Sequence, residues 1–531
     1  MNLNNPVKVI IIGVFIILCP HLTRATVFNV NSTLDTPDAV QGDGICDDGS
    51  GNCTLRAAVQ ECNALAGADQ INLPVGIYIL TGASGENAAA SGDLDLRSDI
   101  DIIGADTRTT IINANFIDRP IHCNNPTVTI NISNLELING SVNDNGGGIY
   151  NTATLTLTDV AIKNCTSNGS SSNLAGGHGG GIYNTGTLNI NYCTLSANWA
   201  IGGNGVNGVN GGGGGGGAAA MGAGLFNTST GVVNILNSTF SGNTARGGRG
   251  GHGSTNNGFV STSGSNGGGQ LGGAGGPSGS TATAGGFGSG GGGSGSSGGG
   301  PPPGADGGFG GGAGGGGASS LGGTSGGSGT PGLGGSPGGT TCCSAGGSGG
   351  GGAGMGAAIF NNEGTIDIQC STIAFNTSAG GLRGNNPWTG SNQGVVADGV
   401  AGGILNYNTG IITLQSTIVS YNNASFDNDL YGNFTSNDYN LLSIIGSAIV
   451  TGTTTNDLYN VSAVLIPLAN NGGNTDTHYL GCNSPAFNAG NCSAADDQIG
   501  IARPLETQDE IGAAEVETGT GPLPPPGFIN N

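Results

Sequence analysis

The sequence predicts an all-β chain, a right-handed parallel β-helix (solenoid) with a short N-terminal capping helix. Three observations carry this. One phrase recurs five times: Gly148-Ile149-Tyr150-Asn151-Thr152, Gly181-Ile182-Tyr183-Asn184-Thr185, Gly224-Leu225-Phe226-Asn227-Thr228, Ala358-Ile359-Phe360-Asn361-Asn362 and Gly403-Ile404-Leu405-Asn406-Tyr407. Each copy leads into a segment such as Thr154-Leu155-Thr156-Leu157-Thr158 or Thr187-Leu188-Asn189-Ile190-Asn191, whose apolar and polar residues alternate as in a half-buried strand. Each then closes on an apolar-x-x-Asn pattern: Ala161 to Asn164, Leu195 to Asn198, Phe240 to Asn243, Ile373 to Asn376 and Val419 to Asn422. A unit this small cannot bury its own apolar face, so it must stack on its neighbours.

Stacking puts aliphatics inside and like over like at the corners. Asn151, Asn184, Asn227, Asn361 and Asn406 should form a structural ladder, each amide bonding its own turn and the next Asn. Upstream strands are expected at Gln70 to Leu73, Tyr78 to Leu80, Asp99 to Gly104, Thr110 to Ile112 and Val128 to Ile132. These read as degenerate coils, so the solenoid should begin well before residue 148. Helical and propeller alternatives fail. Gly and β-branched residues are poor helix formers, and a propeller blade needs four strands.

An open stack needs caps to protect its edges. Thr54 to Leu65 reads as the N-terminal cap. Thr54 suits an N-cap, and Leu55, Ala58, Val59, Cys62 and Leu65 fall on one face. Ahead of it, Lys8, the apolar run Val9 to Leu18 and a small residue, Ala25, read as a secretory signal. That leaves no transmembrane anchor expected in the mature chain. Export permits disulfides. Cys46 with Cys53, and Cys482 with Cys492, look like local loop staples. Cys342 and Cys343 are adjacent.

Two stretches resemble known families. Cys53-Thr54-Leu55-Arg56-Ala57-Ala58, preceded by Gly42-Asp43-Gly44-Ile45-Cys46, resembles the CSLREA domain of exported bacterial proteins, with Thr for Ser and Ala for Glu. Asn471 to His478, Ser484-Pro485-Ala486, Asp497-Gln498-Ile499-Gly500, Arg503-Pro504 and Asp509 to Glu515 resemble the choice-of-anchor Q domain, where an Arg usually stands at Ile499. The repeat phrase is similar to repeats of polymorphic outer membrane proteins. These resemblances imply a secreted or cell-surface protein. The tail after residue 516 lacks the sorting signal that the second resemblance implies.

The expected organisation is a signal (1–25), CSLREA-like cap and first coils (26–98), coils (99–245), a Gly-rich insertion (246–354), coils (355–440), a choice-of-anchor Q-like module (441–516) and a Pro/Gly tail (517–531). The insertion is too poor in apolar residues to offset chain entropy, so it reads as a long flexible loop. A sharper reading is packed polyglycine-II-like strands against the solenoid flank.

Net charge is −22, with 11 Lys and Arg against 33 Asp and Glu. Such a surface repels phosphate backbones, so no nucleic-acid partner is expected. No Cys/His cluster has zinc spacing. Asp43, Asp47 and Asp48 in a Gly-rich turn could hold calcium, but their spacing matches no calcium loop, and no other cofactor is implied. Parallel β-helices include enzymes that cut acidic polysaccharides. Such chemistry needs paired carboxylates or an Arg or Lys base. Asp159 and Asp367 belong to different copies, and Lys163, Arg108, Arg119 and Arg383 stand beside no acidic motif. No catalytic, cofactor-binding or metal residue is assigned. The function expected is therefore a structural or adhesin-like protein that binds surface glycans or proteins. The rival is a polysaccharide lyase or hydrolase, which three or more carboxylates converging beside a basic residue would favour.

Overall fold

The computed structural model describes residues 25–170, 177–255, 263–269, 272–277, 280–296, 303–318, 329–339, 345–385 and 396–516. The secretory signal (all but Ala25), Cys342-Cys343 and the Pro/Gly tail lie outside the described residues.

The chain is a parallel β-helix. Among the described residues its strands form sheets of nineteen, eight, five and three strands, and every pairing between named strands is parallel. The phrase of the repeat builds the eight-stranded sheet. Ile149, Ile182, Leu225, Ile359, Ile404 and Leu430 stack in register, and all are fully buried. The alternating segments build the main sheet. There Leu155, Leu188, Val233, Ile366 and Ile412 point inward over one another. Burying each such side chain is worth about 1.5–3 kcal/mol, and stacking repeats that gain coil after coil.

Two asparagine ladders fix the corners. Asn151 Nδ2 donates to Asn184 Oδ1 at 2.8 Å, Asn184 to Asn227 at 2.9 Å, Asn227 to Asn361 at 3.0 Å and Asn361 to Asn406 at 2.9 Å. The same amides donate to their own turns, as Asn184 does to the Gly186 carbonyl. The second ladder runs Asn198, Asn243, Asn376, Asn422 and ends on Asp429 Oδ1. It does not include Asn164. Strand register pairs Thr166 with Trp199, which puts Cys165 above Asn198 and leaves Asn164 exposed, one residue out of step.

Upstream coils begin at Val27–Asn29, which pairs with Ala68–Leu73. The cap helix Leu55–Ala64 lies against them, and its N-cap Thr54 Oγ1 accepts from the Ala57 N–H at 3.0 Å. Downstream, pairing continues through Ile449–Thr453 to Leu458–Tyr459, so coils run past the expected boundary at 440.

The described residues of the Gly-rich insertion are not a flexible loop but a packed bundle of extended glycine strands, the alternative the sequence left open. The bundle also takes in the segment 212–218, which lies inside the expected coils (99–245) and shows the construction. Gly213 and Gly216 donate to Ser294 and Gly291, Gly214 and Gly217 to Gly347 and Gly350, and Gly215 and Ala218 to Val206 and Gly203. Successive donors thus turn to three neighbours with period three, as in a threefold extended helix. Three further strands fill the gaps. A Cβ on Gly213, Gly214 or Gly215 would stand 2.1, 2.2 and 1.9 Å from the carbonyl oxygens of Gly315, Gly251 and Asn266. This strand is enclosed on all six sides, which is why Gly211 to Gly217 is unbroken glycine. The loop expectation failed because it counted only apolar burial. Here backbone hydrogen bonds and close approach replace side-chain packing.

The bundle docks on a ladder of rings. Tyr150, Tyr183, Phe226 and Phe360 stack along the outer face of the eight-stranded sheet at centroid spacings of 5.0, 5.1 and 5.2 Å. Phe287, Phe309 and Leu333, at the turns of three glycine strands, pack against Phe226, Phe360 and Leu405.

The C-terminal module straps the flank instead of capping the end. Gln498 bonds Thr194, Thr239 and the Cys193 carbonyl, and His478 bridges the Ile466 carbonyl and Ser241. Asp476 reaches Arg108 at 2.6 Å and Lys163 at 3.3 Å. Cys46 and Cys53 form a disulfide. The expected Cys482–Cys492 staple does not form: Cys492 bonds Cys370, 122 residues away, because the strap brings it onto that coil.

Candidate functional site

A groove of about 820 Å³ opens on the outer face of the eight-stranded sheet near its N-terminal end. Its floor is built by register. Asp95, His122, Tyr150 and Tyr183 occupy one outward position in successive coils, because Leu94–Leu96 and Ile121–Cys123 pair in line with Ile149–Asn151. Asp93 precedes Asp95 by two residues, hence on the same face. Gly92 makes the approach possible. It sits at φ 63°, and a Cβ there would meet the Ala83 carbonyl at 2.7 Å and Asp118 Oδ2 at 2.9 Å.

Arg119 stands among the acids. Its guanidinium lies 3.4 Å from Asp93 Oδ2 and 3.6 Å from Asp144 Oδ2, so one cation is flanked by two carboxylates. Its other donors hold the carbonyls of Asn145 and Gly146. The same guanidinium lies over the Tyr150 ring at 5.6 Å. Asp93 is almost fully buried, and its Oδ1 has no hydrogen-bond partner. Burial, with the charges of Asp118 and Asp95 beside it, raises its pKa to about 8 despite Arg119. Asp144 is half exposed. Glu86 also lines the groove, but its carboxylate is occupied by the N–H groups of Ala88, Ala90 and Ser91.

Beneath this lies a supporting layer. Asp95 is fully buried and accepts from the Ala89 N–H and Asn124 Nδ2. His122 Nδ1 approaches Asp95 Oδ1 at 2.9 Å without hydrogen-bond alignment. Arg56 of the cap helix bonds Asp35 and the carbonyls of Ala89, Gly92 and Asp93. It therefore fixes the strand entry that carries Asp93.

Such an arrangement can donate a proton from Asp93 and place a second carboxylate, Asp144, across a shared cation. Asp93, Asp95 and His122 also bring one ligand atom each within 4.8 Å of one another. Two carboxylates and an imidazole would suit zinc or manganese better than calcium. The calcium candidates lie elsewhere. Asp43, Asp47 and Asp48 each turn back on their own loop, accepting from the N–H groups of Ile45, Gly49 and Ser50.

The other sequence candidates do not join the groove. Asp159 lines a separate 230 Å³ hollow with Asp496 and Asp497, Asp367 bonds Gln369, and the Asn ladder is buried in the corners. Of the cations, only Arg119 meets a cluster of acids on the groove. Reading the sequence missed Asp93, Asp95, His122 and Asp144. The available signal was that Leu94-Asp95-Leu96 and Ile121-His122-Cys123 are degenerate copies of Ile149-Tyr150-Asn151.

No family model matches the chain, and no curated protein does. Two solved structures are similar to it. Pectate lyase Pel9A aligns over 93% of this chain and 96% of that one, at 12% identity and a TM-score of 0.37. The A-module of the Azotobacter vinelandii mannuronan C-5 epimerase AlgE6 aligns over 82% of this chain and 96% of that one, at 13% identity and a TM-score of 0.23. Among the described residues no helix is long and apolar enough to cross a membrane.

Proposed function

We propose that this is an exported, glycan-acting β-helix protein, secreted or held at the cell surface, whose groove hydrolyses a glycosidic bond. The observation that carries this reading is Asp93 and Asp144 flanking Arg119 in one groove. Hydrolysis uses a proton donor to the leaving oxygen and a carboxylate that activates water or attacks the sugar. Asp93 supplies the proton, Asp144 the second carboxylate, and Arg119 lies beside both. The resemblance to CSLREA and choice-of-anchor Q proteins supports export.

Charge selects the substrate class. With Asp93 protonated, Glu86, Asp118 and Asp144 still line the groove against Arg119. A polyanion would meet like charge there, so a neutral glycan fits better than a uronic-acid polymer. The adhesin-like reading shares the groove and the glycan but lacks the chemistry. Turnover on a panel of neutral and acidic glycans separates the two. Reducing ends released from a neutral glycan, and absent with Asp93→Asn, are expected. Binding of the same glycan without turnover by either protein would leave only the adhesive role.

A further inference from the structure

The groove does not continue along the solenoid. The next ring after Tyr183 is Phe226, which is buried under the glycine bundle. Where groove and bundle meet there is a small recess of about 130 Å³. Asn145 and Tyr183 line both the groove and the recess, so the two adjoin. The bundle supplies the recess's far wall through Phe287 and Gly288.

Two polar atoms at this junction are buried without a hydrogen-bond partner, Asn145 Oδ1 and His178 Nδ1. Neither side chain is free to swing away from the recess. Asn145 follows directly on Asp144 and its carbonyl is held by Arg119, and the His178 ring stacks on Phe226 at 5.0 Å. Unpaired buried polar atoms cost folding energy, and a hydroxyl-bearing ligand would satisfy both. Burial also keeps the imidazole uncharged at neutral pH, since it lowers the His178 pKa to about 4. A neutral ring suits a sugar hydroxyl better than an anion.

We infer that the recess receives the terminal sugar of a neutral glycan, with Asn145 and His178 reading its hydroxyls and the glycine bundle acting as an end wall. This rests on the hydrolytic reading of the groove and adds how the substrate enters it. A chain inserts end first, its terminal unit stops against Phe287 and Gly288, and cleavage falls at a fixed distance, beside Asp93. The Gly-rich insertion thereby sets product length.

The test is the product profile of the intact protein on a neutral glycan it cleaves. One short oligosaccharide of constant length should appear from the earliest time points. Chains blocked chemically at both ends should resist cleavage. Asn145→Ala should raise KM roughly tenfold on long chains, the loss expected for about one hydrogen bond to the terminal sugar. Phe287→Ala, which opens the wall, should broaden the product lengths. Random-length products at early times, or equal cleavage of end-blocked chains, would overturn the end wall while leaving the groove's chemistry standing. Absence of turnover on every glycan would overturn both.

Discussion

Asp93 is the residue on which the chemistry turns. Its carboxyl keeps a proton at neutral pH because burial and the neighbouring charges of Asp118 and Asp95 push its pKa up to about 8. Turnover should therefore hold through neutral pH and fall as pH rises through about 8, when the donor is lost. The same shift binds a proton more tightly in the folded chain than in the unfolded one. Its contribution to stability is thus full at low pH and is lost as pH climbs from the ordinary carboxylate range toward 8. Asp93→Asn keeps the volume and removes the proton, so kcat should drop by about 10²–10⁴ with an unchanged circular dichroism spectrum. A cation held by Asp93, Asp95 and His122 would displace that same proton. Added zinc should inhibit, and chelator should leave initial rates unchanged; activity that needs zinc would reverse the assignment of Asp93. None of this was legible locally. Arg119 Nη1 reaches Asp93 from 26 residues away, and Asn124 reaches Asp95 from 29. Those pairings exist only through coil register, which the degenerate first phrases concealed.

At the scale of elements, the ladders and the glycine strands store stability in opposite ways. In a ladder rung, one buried amide serves its own turn and the coils on both sides. Asn227→Ala removes the bonds to Asn184, Asn361 and the Gly231 carbonyl, and leaves their partners buried. The expected loss is about 2–4 kcal/mol in chemical denaturation. Asn234→Ala, on the exposed face of the same coil, should stay within about 0.5 kcal/mol. Equal losses at both positions would mean that the ladder adds nothing beyond surface hydrogen bonding. The glycine strands depend instead on having no side chain. In Gly215→Ala the new methyl would stand 1.9 Å from the Asn266 carbonyl oxygen, a backbone atom that cannot step aside. A loss of about 3 kcal/mol is expected, with earlier proteolysis in the bundle than in the coils. The coils were readable because apolar alternation and repeated Asn are side-chain signals. The bundle was legible only as an alternative to a loop, because a polyglycine tract looks the same to a composition argument whether it is solvated or enclosed. Only the unbroken run at Gly211 to Gly217 marked the strand that six neighbours surround.

For the whole molecule, the decisive tie is the one between the strap and the coils. The strap's motifs were visible in the sequence, but their destination was not. Gln498, His478 and Asp476 each act on coils more than 230 residues earlier. Nearness in sequence therefore pointed to Cys482 as the partner of Cys492, when the fold chose Cys370. The two disulfides close loops of very different size, with separations of 7 and 122 residues. If a cross-link acts mainly by limiting the unfolded chain, the short one should contribute about 2.5 kcal/mol and the long one about 4–5 kcal/mol. Cys46→Ser with Cys53→Ser should accordingly lower stability less than Cys370→Ser with Cys492→Ser. The mode of opening should differ too. Without the long cross-link, the strap keeps its hydrogen bonds, the partly exposed Asp476 ion pairs, which contribute little each, and the packing of Leu465, Leu480 and Ile511 with Ile418 and Leu441. Hydrogen exchange should then quicken across residues 461–516 while the ladder amides of Asn184 and Asn227 stay protected. Opening the short loop should quicken exchange only around the cap. Equal stability losses for the two double variants, with exchange rising uniformly, would mean that strap and coils unfold as one unit and that loop closure is not what the long disulfide contributes.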